Sequence, residues 1–331
     1  MGEEGSAWPL CSGLPLWIAR RVPRSRGQSR IHTQGSHGDS AVRGAPTRAS
    51  HALPSSPFSL FPTIRDIILW NMPSSRLFKE IRHYSQSRHN QRKADFFVVE
   101  GLRVSEEFLR RRPDWVSGAL FSDDFSGSPD GVRLSRSLGF LGVLPEICSR
   151  GDFSQLSMTE GPQGVMLVLR KPSSGFRPRL SSPCVLILDQ VQEPGNVGTI
   201  LRTAWAAGLE QVWLTSGSAD PWSPKVVRSG MGAQSVVEPC IFEDLESAVA
   251  AFRGLGGRDV WCAMMESDVT LFDASFSPCG SAIVVGNEGN GITRPDVGRA
   301  VTIPMPGHAE SLNVAQAATL LLFEALRRSA R

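Results

Sequence analysis

The chain has 331 residues, which is enough for two domains of ordinary size. Hydrophobic residues make up 41% and charged residues 20%, as in a globular protein, and no apolar run approaches the ~20 residues that a membrane helix needs. The net charge of +3 excludes a polycation, so any attraction for nucleic acid has to come from local basic clusters.

Residues 1–63 differ in composition from the rest of the chain. They are rich in Arg, Ser, Gly and Pro, contain no Lys, and have acidic residues only at Glu3, Glu4 and Asp39. Because apolar periodicity is absent, we expect a disordered or targeting extension. Such an acid-poor extension is typical of transit peptides of mitochondria and plastids. Glu3 and Glu4 favour instead a plain tail or an incorrect start codon, which leaves a cytoplasmic protein possible.

Residues 64–172 are predicted to form a small α/β module. The expected elements are strands at residues 96–99, 119–121, 140–144 and within 161–172, and a helix at residues 104–111. The Pro- and Ser-rich residues 173–183 then form a linker.

Within this module, residues 76–93 read RLFKEIRHYSQSRHNQRK and contain one acidic residue among many basic ones. Such a stretch can bind phosphates, with affinity that comes mainly from counterion release. A solvated helix face is the alternative interpretation.

Residues 184–331 alternate between apolar runs and helical segments. Strands are predicted at residues 184–189, 211–215, 259–264, 281–286 and 300–304, and helices at 197–207, 242–252 and 314–328. Continuous apolar runs suit a parallel sheet that is buried on both faces. We therefore expect a doubly wound α/β domain, in which ligands lie beyond the carboxyl ends of the strands.

The cysteines do not form a metal-binding pattern. None belongs to a C-x-x-C pair, and no histidine lies at zinc-ligand spacing from them. They are predicted to be buried free thiols in a reducing compartment, at positions 11, 148, 184, 240, 262 and 279.

The first of three motifs, PGNVGTILRTA, begins at Pro194. Pro194 and Gly195 are interpreted as a tight turn, and Asn196 as the cap of the next helix. Arg202 would then lie over Gly198, which has no side chain, and point toward the strand-end crevice. Its guanidinium can hold an RNA phosphate there. An exposed arginine without a partner is the alternative.

The second motif, VGNEGNGI, begins at Val285, and its glycines let the backbone approach a ligand closely. No Lys follows as in a P-loop, and the G-x-G-x-x-G fingerprint is absent. Glu288 would repel phosphate. It suits a cationic or hydroxyl-bearing group, or an arginine that it orients, while capping of the next turn is the alternative.

The third motif, IPMPGHAESLNVAQ, begins at Ile303. Ser311 and Asn313 can act simply as caps of the last helix. Ile303 and Leu312 can instead clamp an adenine, whose edge nearby backbone groups would read.

In this order and spacing, the motifs resemble the signature motifs of the SpoU–TrmH family of RNA ribose methyltransferases. The resemblance covers residues 66–330 and includes SGMGAQSVVEP at residues 229–239. It implies a SPOUT-type parallel sheet with a trefoil knot, which periodicity alone does not indicate. It also implies a homodimer with the site near its interface. The first module resembles the ribosomal-protein-like RNA-binding domain of members that modify ribosomal RNA.

The resemblance also implies S-adenosylmethionine as methyl donor, without a metal. Carried over residue by residue, the catalytic set is Asn196, Arg202, Glu288, Ser311 and Asn313. The donor-binding set is Gly286, Asn287, Ile303, Met305 and Leu312.

The implied reaction moves a methyl group from a sulfonium to a ribose 2′-oxygen. Because a guanidinium is a poor base, Arg202 is predicted to hold the adjacent phosphate and to stabilise the developing alkoxide. Glu288 would orient Arg202, and the other three catalytic residues would orient the ribose.

Three other functions remain open at this point. One is methylation of transfer-RNA ribose, and another is a non-catalytic RNA-binding factor in ribosome assembly. The third is a nucleotide-dependent oxidoreductase, against which the missing glycine fingerprint argues. The intact motif residues argue against a catalytically silent factor.

Overall fold

The computed structural model describes residues 75–172, 178–307 and 309–330. The predicted N-terminal extension, residues 1–63, lies outside the described residues, as do residues 173–177 of the predicted linker. Among the described helices, none is both long enough and apolar enough to span a membrane.

A first sheet of four strands follows the order β1-β4-β2-β3. Its strands are β1 (Phe96–Glu100), β2 (Val116–Ser122), β3 (Glu146–Cys148) and β4 (Val165–Arg170). Strand β4 runs antiparallel to β1 and β2, and β3 runs parallel to β2. The apolar faces of these strands form the core of the first module.

Within residues 75–172, six helices accompany this sheet. They are α1 (Arg76–Ser85), α2 (Arg88–Lys93), α3 (Leu102–Arg111), α4 (Asp123–Ser126), α5 (Pro129–Gly139) and α6 (Arg150–Leu156). The strand predicted at residues 140–144 is wrong, because this segment is a turn in which Phe140 and Leu144 are exposed. The third strand lies just beyond it, at Glu146–Cys148. The run is apolar, but of its large side chains only Val143 packs against the core.

The second sheet has six strands, all parallel, in the order β10-β8-β9-β5-β6-β7. They are β5 (Val185–Leu188), β6 (Gln211–Thr215), β7 (Glu238–Phe242), β8 (Val260–Ala263), β9 (Ala282–Val285) and β10 (Arg299–Val301). Its helices are α7 (Pro194–Ala206), α8 (Pro224–Ser229), α9 (Leu245–Gly254) and α10 (Val314–Ser329). The predicted parallel α/β sheet is confirmed.

Both faces of this sheet are covered. Along β5, Leu186 packs into the core that α7 and α10 complete, whereas Ile187 packs into the core that α9 completes. Both side chains are fully buried. This burial explains why the strand is a continuous apolar run rather than an alternating one.

Strand β7 was absent from the sequence-based prediction. It contains Pro239, lies at the edge of the sheet, and leaves Ile241 61% exposed. An edge strand tolerates proline because one of its sides needs no partner. The helix predicted to start at residue 242 begins instead at Leu245, after a capping box formed by Asp244 and Ser247.

The two sheets are joined by an aromatic cluster. Trp222, from the connection between β6 and α8, packs 5.0 Å from Phe97 and 5.8 Å from Trp115, measured between ring centroids. Arg112 adds a hydrogen bond to the carbonyl of Ser235 at 3.1 Å. The segment that follows β6 is thereby held against the first sheet.

The five cysteines in the described residues are free, as predicted. Four are buried, and Cys279 is half-buried. Burial raises the pKa of Cys184 to about 12 and that of Cys262 to about 11, so both thiols stay protonated at neutral pH.

Candidate active site

The three sequence motifs follow three strands of the second sheet. Strands β5 and β9 are neighbours, and β10 is separated from β9 only by β8. Because these strands are parallel, the segments after them emerge at the same edge of the sheet. This carboxyl edge is where a doubly wound sheet binds ligands.

A chain of hydrogen bonds connects all three motifs. The side-chain amide of Asn196 donates to Oε1 of Glu288 at 2.7 Å, and the side-chain amide of Asn313 donates to Oδ1 of Asn196 at 3.0 Å. Three of the five predicted catalytic residues therefore lie together. Asn196 is half-buried, whereas Glu288 and Asn313 are exposed toward solvent.

The predicted helix cap at Asn196 is wrong. Helix α7 begins at Pro194, and Glu193 is its N-cap, accepting a hydrogen bond from the backbone N–H of Gly195 at 3.3 Å. Lys225 donates to the same carboxylate at 2.6 Å, and this hydrogen bond is the main reason why the pKa of Glu193 is lowered. With Glu193 as cap, the side chain of Asn196 is free to bind Glu288.

Gly198 does not make room for Arg202 as expected. A Cβ at this position would lie 1.9 Å from Oγ of Ser229 and 2.5 Å from the carbonyl oxygen of Val226. Glycine is therefore required where α7 crosses close to α8. The close crossing fixes the start of α7, and hence Asn196, relative to the rest of the sheet.

Arg202 is exposed and makes no hydrogen bond or ion pair with any described residue. It lies on the outer side of α7 with Thr199 and Ala206, which are also exposed. The predicted contact between Glu288 and Arg202 is absent, because Glu288 binds Asn196 instead. The guanidinium is thus available to a group outside the described chain.

The second motif forms a closed loop after β9. The backbone N–H and carbonyl of Asn287 both bind Gly291, at 2.9 and 3.0 Å, and its side-chain oxygen accepts from the N–H groups of Gly289 and Asn290. Its amide donates to the carbonyl of Gln190 at 2.9 Å. The side chain and both backbone polar groups of Asn287 are therefore used within the protein, so this residue shapes the loop.

Gly286 is enclosed by this loop. A Cβ there would lie 2.4 Å from the backbone carbon of Gly291 and 2.5 Å from the backbone nitrogen of Ile292. No side chain fits at these distances, so the turn depends on glycine.

Asp189, a buried residue that the sequence analysis did not single out, anchors the same loop. Its Oδ1 accepts from the hydroxyl of Thr215 at 2.9 Å, and its Oδ2 accepts from the N–H and hydroxyl of Thr293 at 2.6 and 2.8 Å. The carboxylate thereby joins the ends of β5 and β6 to the loop after β9. An acidic residue that ends a fully apolar strand was the signal that could have identified it.

The third motif leaves more groups unpaired. Ile303, Met305 and Leu312 are half-buried, and Ile303 packs against the main core. The backbone N–H groups of Met305 and Leu312 have no hydrogen-bond partner among the described residues. Half-buried apolar side chains beside free backbone amides suit an adenine, whose flat faces are apolar and whose edge accepts hydrogen bonds.

Ser311 and Asn313 differ in this loop. Ser311 is exposed and unpaired within the described residues, whereas Asn313 caps α10 through the N–H of Ala315 at 2.9 Å. The capping role expected for Asn313 is confirmed, and its amide still reaches Asn196. No group of three or more His, Cys, Asp or Glu residues in the described ranges could hold a metal ion.

Comparison with known proteins places these motifs in a family context. The profile of the SpoU rRNA Methylase family matches residues 183–323. The 23S rRNA (guanosine(2553)-2′-O)-methyltransferase RlmP of Bacillus subtilis is 31% identical over 240 residues, which cover 72% of this chain and 91% of that protein. The rRNA methyltransferase 3, mitochondrial, of Homo sapiens is 29% identical over 324 residues, which cover 77% of this chain and 73% of that protein.

A solved structure also resembles most of the chain. It is the SpoU methyltransferase AviRb of Streptomyces viridochromogenes in complex with the cofactor AdoMet. The TM-score is 0.68 at 25% sequence identity, over 77% of this chain and 98% of that chain. The matched share of this chain is larger than residues 183–323 alone.

Proposed function

This chain belongs to the SpoU rRNA methylase family, and from this premise we propose that it methylates a ribose 2′-hydroxyl of ribosomal RNA with S-adenosylmethionine as donor. The observation that carries the proposal is the hydrogen-bonded chain from Asn313 through Asn196 to Glu288, which joins the three motifs at one edge of the sheet. Where the loops after several strands meet at one edge of a sheet, two substrates can be held in position for transfer of a group from one to the other.

The donor site is proposed at the loops after β9 and β10. The residues carried over from the family are Gly286, Asn287, Ile303, Met305 and Leu312. Their chemistry fits adenosine, since apolar side chains lie beside unpaired backbone amides. When bound, S-adenosylmethionine supplies the methyl group on a positively charged sulfur.

The catalytic residues then act on the ribose. The methyl group would pass from the sulfur to the 2′-oxygen, the donor would leave as a neutral thioether, and the hydroxyl proton would pass to solvent water. Arg202 binds the neighbouring phosphate with its two-pronged guanidinium and stabilises negative charge as it develops on the oxygen. Asn196, Asn313 and the exposed Ser311 orient the ribose.

Glu288 takes a role different from the one the sequence implied. Its carboxylate binds the amide of Asn196, not Arg202, and so fixes the direction in which Asn196 presents its polar atoms. In this proposal, Glu288 is a positioning residue for Asn196.

The first module, residues 64–172, is proposed to be the RNA substrate-binding domain, joined by the linker 173–183 to the methyltransferase domain 184–331. The aromatic cluster around Trp222 supports a fixed orientation between the two sheets. The relatives named as methyltransferases of 23S rRNA and of rRNA favour ribosomal RNA. Transfer RNA remains the alternative substrate, and a non-catalytic assembly factor the alternative function.

A homodimer is proposed through the outer faces of α7 and α10. These helices are joined by a hydrogen bond between the hydroxyls of Thr203 and Thr319 at 3.3 Å. On α10, Leu320 and Phe323 are almost half exposed, on the same side of the sheet as Arg202. Light scattering of a Leu320→Asp/Phe323→Asp variant tests this interface, and a mass equal to that of the wild type would contradict it.

The trefoil knot is proposed for the segment between β10 and α10. Strand β10 is at the edge of the sheet, whereas α10 packs into the central core with α7, so the chain crosses the ends of β8 and β9. A crystal structure traced through residues 286–313 tests the threading, and an unthreaded path would contradict it.

The proposed compartment is a mitochondrion or plastid, and the cytoplasm is the alternative. The acid-poor, Arg- and Ser-rich composition of residues 1–63 and the relative named as mitochondrial support this proposal. Imaging the full chain fused to a fluorescent protein tests this, and a diffuse cytoplasmic signal would favour the alternative.

The activity is tested by transfer of labelled methyl groups from S-adenosylmethionine to ribosomal-RNA transcripts, with wild type beside Arg202→Ala. We expect label at one nucleotide whose 3′ phosphodiester bond resists alkaline cleavage, and its loss in the variant. Transfer to transfer RNA alone would favour the alternative substrate. Absence of donor binding would contradict an enzyme and leave the assembly factor.

A further inference from the structure

A cleft lies between helix α2 and the segment that connects β6 to α8. Its volume is about 450 Å³, and basic residues line both of its sides. Arg88 and Arg92 of α2 form one side, and Lys225 and Arg228 of α8 form the other. Asp220 is the one acidic residue that lines it within the described chain. We call this cleft, with Arg88, Arg92, Lys225 and Arg228 on its two sides, the basic cleft.

Most of this positive charge is available to a ligand. Arg88 and Arg92 are exposed and have no hydrogen bond or ion pair with a described residue. Arg228 donates from Nη1 to the carbonyl of Met158 at 3.1 Å, which fixes its guanidinium without neutralising it. Asp220 is already engaged, because its Oδ1 accepts from the backbone N–H of Trp222.

Lys225 and Arg88 connect the basic cleft to the proposed active site. Lys225 pairs with Glu193, the cap of helix α7, at 2.6 Å. The hydrogen bond and the charge of Lys225, and more weakly the charge of Arg88, lower the pKa of Glu193. Pro194, the first residue of α7, itself lines the cleft. Asn196 follows two positions later.

We propose that the basic cleft binds the phosphate backbone of a single-stranded segment of the RNA substrate, beside the nucleotide whose ribose is methylated. This inference rests on the proposed function for its choice of RNA. A strand held between α2 and α8 would pass Pro194 and present its next ribose to Asn196.

The lining chemistry favours backbone contacts over base contacts. No aromatic residue lines the basic cleft in the described part of the chain, so bases have no stacking platform there. Arginine and lysine bind phosphate oxygens without reading sequence. A concave cleft of this size admits one strand, whereas a duplex would place two backbones around a wide cylinder.

A second groove, lined in part by the same helix α2, provides a matched control. This groove of about 690 Å³ is lined by residues of α1, α2 and the start of β1, including Lys79 and Lys93. None of its lining residues comes from the second sheet. Lys79 and Lys93 are also without a hydrogen bond or ion pair in the described residues. Removing these two charges changes net charge equally but leaves the basic cleft intact.

The test compares the full-length Arg88→Gln/Arg92→Gln variant with the Lys79→Gln/Lys93→Gln variant. Binding of a fluorescein-labelled, unstructured single-stranded RNA is measured by anisotropy over a range of salt concentrations. Loss of two phosphate contacts should weaken binding and flatten the slope of log K against log salt by about 1.4, or about 0.7 per contact. The control variant should keep the wild-type slope.

Three results would overturn the inference. They are unchanged RNA binding in the Arg88→Gln/Arg92→Gln variant, equal weakening in both variants, and absence of RNA binding by the wild type. Donor affinity and methyl transfer by the wild type are measured separately. If RNA binds through Arg88 and Arg92 but no methyl is transferred, the proposed function fails while the binding surface stands.

Discussion

The loops after β9 and β10 are built in contrasting ways. In the loop of residues 286–293, Asn287 makes hydrogen bonds with both its backbone and its side chain, and Thr293 is held by Asp189. In the loop of residues 302–313, Ser311 and the amide of Met305 have no partner in the described residues. The first loop has its shape without a ligand, whereas the second offers unpaired groups to one.

The difference assigns separate tasks to the two loops. A closed loop can hold Glu288, and through it Asn196, at a fixed position before any substrate binds. An open loop can surround a donor and exchange hydrogen bonds with it. Catalysis gains from groups that need no reorganisation, and binding of a flat ligand gains from groups that are still free.

The largest effect is expected when the closed loop is broken. Gly286→Ala places a methyl group 2.4 Å from the backbone of Gly291, so the turn must open. We expect donor binding and methyl transfer to be lost, with a fall in unfolding free energy of roughly 3 kcal/mol. Calorimetry with S-adenosylmethionine and urea unfolding measure both. Gly307→Ala, in the open loop, is the control, because no atom lies within 4 Å of its added Cβ.

A nearly normal Gly286→Ala enzyme would show that the closed loop is not essential. Equal damage from Gly307→Ala would show that the two loops do not differ in rigidity.

The next largest effect is expected at Arg202, whose charged side chain, like Ser311 of the open loop, has no partner among the described residues. Arg202→Ala should lower kcat by roughly 10²- to 10³-fold, because a donor to the developing oxyanion is lost. The unfolding free energy should not change, since the side chain is exposed and makes no contact by hydrogen bond or ion pair with the described residues. Arg202→Lys separates charge from shape, and near-normal turnover in this variant would contradict a two-pronged grip on phosphate.

A smaller effect is expected at the anchor of the closed loop. In Asp189→Asn, an NH2 group replaces one of the two oxygens that accept hydrogen bonds. This NH2 group then faces another donor, either the hydroxyl of Thr215 or the backbone N–H of Thr293. A loss of about 2–3 kcal/mol of unfolding free energy is expected, because the buried Asp189 side chain loses an accepting oxygen and its donor partner loses its acceptor. Asp296→Asn, at an exposed carboxylate, is the matched control and should change stability little. Similar losses in both variants would contradict an anchoring role for Asp189.

The smallest effect is a pH dependence at the helix that follows the open loop. Hydrogen bonds from Arg327, and then from Arg328, lower the pKa of Glu324 on α10 from 4.5 to about 2. A lowered carboxyl pKa stabilises the fold above pH 4.5, and this contribution is lost as pH falls toward about 2. The difference in unfolding free energy between wild type and Glu324→Gln should therefore shrink over this interval. A constant difference would contradict the ion pairs.

Sequence alone was sufficient where residues act through their chain neighbours. The motifs placed Asn196, Glu288 and Asn313 after parallel strands, and parallel strands bring such residues to one edge. Asn313 was predicted as a helix cap and is one. Continuous apolar runs likewise located the inner strands, because burial on both faces leaves a direct mark on composition.

Sequence was insufficient where the outcome depends on competition between distant groups. Asn196 is a good cap residue, but Glu193 caps α7 and is reinforced by Lys225, which is distant in sequence. The sequence analysis attributed Gly198 to the space that Arg202 needs. Glycine is required there instead because a side chain would clash with Ser229. Neither partner could be known before the tertiary structure was.

The most direct test of the proposed site is amide hydrogen exchange with and without S-adenosylmethionine. Exchange reports how often each backbone N–H opens to solvent. We expect the donor to slow exchange over residues 302–313, while residues 286–293 are already protected without it. Equal changes in both loops would contradict the division between them, and no change in either would contradict a donor site at this edge of the sheet.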